Sequence, residues 1–132
     1  MPNEGQMTLT VLHDLALLYL GLAYGADGEL NPAETRSIAQ KLREWQPHKD
    51  PALIDHVLRE ATLSYLNGAG TGRLQEVVVS LKDLLDNDTR ASILNDLSDI
   101  AHVDGEVETS EKNFVNRVAE VWKVDHHPGS NS

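Results

Sequence analysis

The chain contains no cysteine, one phenylalanine, and 11 Lys and Arg residues against 21 Asp and Glu. Each scarcity closes a route. Without cysteine there is no disulfide framework, no thiolate metal site and no cysteine nucleophile, and redox compartment leaves no mark on the sequence. The shortage of basic residues leaves a net charge of −10. A field of that sign repels phosphate backbones, so nucleic acid is not an expected partner, whereas cations and basic protein surfaces are. Long apolar runs are also lacking. The longest uncharged stretch of this kind covers residues 15–26, short of the roughly 20 residues that cross a bilayer. Residues 1–6 carry no Lys or Arg, unlike the basic start of a secretory signal. The expectation is a cytoplasmic protein without membrane insertion, its oligomeric state left open.

What is present is helical periodicity in a chain of one-domain size, 132 residues with 40% hydrophobic content. A chain this long can bury roughly two-thirds of its unfolded surface without metal or disulfide support. A first helix over about residues 8–24 repeats Leu9, Leu12, Leu15, Ala16, Tyr19, Leu20 and Ala23 at helical spacing, and Leu17, Leu18 and Leu22 make its other faces apolar too. Such a helix belongs inside the molecule. A second begins at Asn31-Pro32, with Glu34 in the capping-box position, and stops before Pro47. Asp50-Pro51 opens a third helix with the stripe Leu53, Ile54, Val57, Leu58, Ala61 and Leu66. The glycine-rich stretch 67–72 breaks the chain. A fourth helix carries Leu74, Val77, Val78, Leu81, Leu84 and Leu85. A fifth follows an Asp86-Asn87-Asp88 turn, and a sixth starts near Thr109. This is an all-α, single-domain bundle of six to seven helices. The domain is expected over residues 7–124, with flexible termini at 1–6 and 125–132.

The most informative pattern is a repeat. Asp27-Gly28-Glu29-Leu30 matches Asp104-Gly105-Glu106-Val107, Glu34 matches Glu111, and Ile38 matches Val115, all at an offset of 77. Leu17 and Leu20 meet Leu94 and Leu97 at the same offset. Two copies in equivalent helical context predict an internal pseudo-two-fold repeat with halves at about 8–66 and 73–123. Trp45 and Trp122 stand at equivalent helix ends, although they are not counted with the repeat. They read as core or bundle-capping residues, with a protein-binding patch as the alternative.

Two readings of the doubled turn stay open. In the structural one, Gly28 and Gly105 adopt positive φ, Leu30 and Val107 dip into the core, and Glu34 and Glu111 meet the free N–H groups and positive dipole of the following helix. In the functional one, Asp-Gly-x-hydrophobic-x-x-x-Glu is the second half of an EF-hand calcium loop. The first half is missing: the early ligand positions hold Ala23 and Gly25 in one copy, Ile100 and His102 in the other. Neither loop can complete an oxygen cage alone. A metal would bind only if the fold pools Asp27, Glu34, Asp104 and Glu111, and hard carboxylate ligands would select Ca²⁺ or Mg²⁺.

With these residues the chain resembles the TerB family, helical domains named from tellurite-resistance operons. The resemblance rests on 23–30 followed by Glu34, and on 100–107 followed by Glu111, and spans about residues 10–123. It implies an all-α fold with pseudo-two-fold symmetry, a cytoplasmic protein of tellurite or chemical-stress response, and cation binding at Asp27, Glu34, Asp104 and Glu111. One departure is the second helix entry, where Glu108-Thr109 replaces Asn31-Pro32.

Little else suggests chemistry. Neither a zinc-protease, Walker, nucleophile-elbow nor dinucleotide motif occurs, so a non-enzymatic module is expected. His102, at a helix C-terminus, reads as a dipole partner before it reads as an accessory ligand. His13 and His56 read as surface or satisfied core residues. The runner-up function is a protein–protein interaction scaffold whose acidic turns are purely structural.

Overall fold

The structure, a computed structural model, describes residues 9–27, 32–46, 49–69, 72–102 and 109–123. Six α-helices follow one another: α1 (Leu9–Asp27), α2 (Pro32–Trp45), α3 (Pro51–Ser64), α4 (Gly72–Leu84), α5 (Asn87–His102) and α6 (Thr109–Trp122). A π-helical turn, Tyr65–Ala69, extends α3. The described residues include no strand, and none of their helices is long and apolar enough to cross a membrane. The predicted termini, 1–6 and 125–132, lie outside the described residues.

α1 is the axis of the bundle. It touches each of the other five helices, as its all-round apolar sequence requires. Leu12, Leu15, Ala16, Leu18, Tyr19 and Leu20 have no exposed surface. Around it, α2, α3, α5 and α6 each turn one stripe inward: Ile38 and Leu42, Ile54 and Ala61, Leu94 and Leu97, Val115 and Val118. α4 does the same with Val77 and Leu81. α1 and α4 come close at Gly21. A Cβ there would stand 2.5 Å from Leu74 Cδ2, so glycine leaves the room that Leu74 fills.

Helix starts follow the local chemistry. Asp50 caps α3, its Oδ1 accepting from the Ala52 N–H at 2.9 Å, with Pro51 at the first helical position. Asp86 Oδ1 accepts from the Thr89 N–H at 2.8 Å just before α5. Hydrogen bonds from the Thr89 backbone and then its side chain hold the Asp86 carboxyl below its usual range.

Two features differ from the sequence reading. Leu66 was assigned to the buried stripe of α3, yet it is 58% exposed. Spacing is the cause: Leu66 follows Ala61 by five residues, whereas the four-residue step that keeps a helical face falls on Tyr65, which packs against the core. Leu84 and Leu9, also counted in apolar stripes, are at helix ends and are exposed. The offset of 77 reappears in the helix bounds, since α2 covers 32–45 and α6 covers 109–122. Trp45 and Trp122, which close these two helices, are themselves separated by 77.

Candidate functional site

Glu34 and Glu111 are each the third residue of their helix, α2 and α6. Both are buried, at 5% and 3% exposure. Glutamate is rarely buried unless its charge is balanced, and both residues engage partners. The first turn of a helix supplies a positive dipole end and spare N–H groups that suit a carboxylate. Burial at the same helical position in α2 and α6 sets these two glutamates apart from the mostly solvated acidic surface. Asp27 is the last residue of α1, and its side chain lies outside the described residues. So do Asp104, the glycines Gly28 and Gly105, and the turn hydrophobes Leu30 and Val107. Among the described residues no three His, Asp or Glu side chains are grouped to hold a metal ion. Two of the four proposed ligands are not among them. His102 is exposed, with Nδ1 2.7 Å from the Ser98 carbonyl oxygen one turn back, the arrangement of a helix-terminal histidine tied to its own backbone.

The sequence reading passed over a second polar centre, at the Asp96 carboxylate of α5. Tyr19 of α1 donates its hydroxyl hydrogen to Asp96 Oδ2 at 2.7 Å. Trp45 of α2 donates Nε1–H to the same oxygen at 2.8 Å, with a longer contact of 3.3 Å to the Tyr19 hydroxyl. Lys41, one turn before Trp45, donates to Asp99 Oδ2 at 2.9 Å and stands 3.9 Å from Asp96 Oδ1. Burial raises the Asp96 pKa against the opposing pull of its Tyr19 and Trp45 hydrogen bonds and the Lys41 charge. Burial, then the negative charge of Asp96, raises the Tyr19 phenol well above its ordinary value. Partial burial pulls Lys41 down, but Asp99 and Asp96 outweigh it and leave the amine raised. The cluster pins α1, α2 and α5 together. Its Tyr19–Trp45–Asp96 part is a hydrogen-bonded, part-buried network, with the Lys41–Asp99 pair on its solvent side.

Trp122 occupies the corresponding end of α6 but is fully buried, donating Nε1–H to the Val78 carbonyl of α4 at 2.8 Å. That is the core reading of Trp122, and it removes Trp122 from any surface patch. Trp45 is half-buried. The two tryptophans thus tie equivalent helix ends to different neighbours, α5 and α4.

Comparison with known proteins agrees with this architecture. A solved structure of a protein of unknown function from Porphyromonas gingivalis W83 superposes with a TM-score of 0.67 at 13% identity, covering 92% of this chain and 89% of that one. At that identity the likeness speaks for the fold. No curated protein matches the sequence. The family model described as tellurite resistance protein TerB matches residues 13–129. That span takes in all six helices except the start of α1, together with both Asp-Gly-Glu turns, and the chain belongs to the TerB family.

Proposed function

We propose that this TerB-family chain is a non-catalytic, cytoplasmic module of tellurite or chemical-stress response. In this reading it senses or stores a divalent cation, calcium or magnesium, through Asp27, Glu34, Asp104 and Glu111. The observation that carries it is the burial of Glu34 and Glu111 at the same position of α2 and α6, each seven residues after the Asp of an Asp-Gly turn. Two buried carboxylates, each preceded in the sequence by the aspartate of an Asp-Gly turn, are hard oxygen ligands drawn from both halves of the chain. Calorimetric titration and melting curves with Ca²⁺ and Mg²⁺ at matched ionic strength test this. Saturable heat and a raised Tm are expected, both lost in the Asp27→Asn plus Asp104→Asn variant. No heat and no shift at millimolar Ca²⁺, Mg²⁺ or Zn²⁺ overturns the cation reading.

A second reading is an interaction scaffold with purely structural turns. It is supported by the helix-start position of Glu34 and Glu111 and by the partners they already engage. Under it the same double variant changes stability slightly and still captures whatever protein the wild type captures.

A further inference from the structure

We propose that the cleft between α1 and α3 binds an organic cation, an alkylammonium or guanidinium group. The cleft has a volume of about 390 Å³ and is lined by Leu9, Thr10, His13, Asp14, His56, Val57 and Glu60. Burial sorts the lining into layers. Asp14 and Val57 are buried and form the inner wall, His13 is half-buried, and Leu9, Thr10, His56 and Glu60 are exposed at the rim. α1 contributes positions 9, 10, 13 and 14, and α3 contributes 56, 57 and 60. Each set is one helical edge, so the two helices face each other along the cleft.

The lining chemistry selects the ligand. Two carboxylates and no Lys or Arg line the cleft among the described residues, in a protein of net charge −10. The local field therefore favours cations and rejects phosphate or carboxylate ligands. Every polar side chain of the lining has an atom that can accept a hydrogen bond: the Thr10 hydroxyl, the two imidazole rings, and the Asp14 and Glu60 carboxylates. A ligand that is cationic and rich in N–H donors can bond to several of these acceptors at once. Leu9 and Val57 supply an apolar surface for its methylenes. No three of the His, Asp and Glu side chains here are grouped to hold a bare metal ion, which favours a ligand that spreads its donors over several ångströms. This site uses none of the turn residues, so it stands or falls separately from cation binding there.

The shared chemistry has two sources, a free polyamine or the Arg side chain of a protein partner. The test is an NMR titration following the His13 and His56 ring protons, once with spermidine and once with capped arginine, each against NaCl of equal ionic strength. Saturable shifts at both histidines are expected. Saturation by spermidine alone supports a free polyamine, and saturation by capped arginine supports a basic protein partner. Glu60→Lys, at an exposed position that leaves the core untouched, is expected to weaken binding by about tenfold or more, the usual consequence of losing a charge-assisted hydrogen bond. Asp27→Asn plus Asp104→Asn is expected to leave it unchanged. Shifts reproduced by NaCl, shifts that never saturate, or unchanged affinity in Glu60→Lys overturn the proposal.

Discussion

Three helices meet at the Asp96 carboxylate, and two of its donors face the interior. Tyr19 has no exposed surface. Asp96→Ala removes the acceptor for its hydroxyl and for the Trp45 N–H. An orphaned buried donor costs about 1–3 kcal/mol, so urea unfolding of this variant should show a loss in that range. Tyr19→Phe deletes a donor and leaves Asp96 its bond from Trp45 and the Lys41 charge. Its loss should be smaller, about 0.5–1.5 kcal/mol. The raised Asp96 pKa has a definite sign. The folded state holds this proton more tightly than the unfolded chain does. Its contribution to stability therefore grows as pH falls through the raised folded value, and levels off below the ordinary Asp range. Stability measured from neutral pH down to that range should rise relative to Asp96→Asn, which has no such proton to bind. A fall relative to that variant would reverse the assignment. The sequence hid this cluster because a single Asp on an amphipathic helix reads as solvent-facing.

At the scale of the element, helix starts were more legible than helix surfaces. Asp50-Pro51 and Asp86 act within a few residues of themselves, so local chemistry fixes them and the structure shows both as caps. Asp50→Ala should lower stability by about 1 kcal/mol, read as a shift of the urea midpoint. Leu66 was misplaced because it is apolar and near the stripe in sequence, although it stands one residue past Tyr65, the position that helical spacing turns inward. Gly21 was silent in the sequence, since a helical glycine gives no sign of what crosses it. The approach of Leu74 supplies the reason. Gly21→Val should cost about 1–3 kcal/mol, the range for overfilling a packed contact, measurable by thermal melts. The acidic turns lie between these cases. Their Glu34 and Glu111 ends were correctly put at helix starts. Whether Asp27 and Asp104 approach them depends on how two distant segments meet, and residue spacing carries no such information.

For the molecule as a whole, composition and periodicity sufficed for the all-helical bundle, because one helix apolar on every face has to be surrounded by others. The net charge of −10 belongs to this scale too. Self-repulsion among the carboxylates is screened by salt, so Tm should rise between low and physiological NaCl. An unchanged or lower Tm would show that ion pairs such as the exposed Arg43–Asp55 contact at 2.8 Å outweigh that repulsion. The central position of α1 also bears on the order of synthesis. The helix that all five others cover is translated before any of them. While the ribosome adds residues 32–122, this most apolar segment has only part of its final shelter. α6, which packs on it, emerges after the other five. A nascent chain halted before Thr109 would present α1 to the aggregation and chaperone contacts that the finished fold prevents.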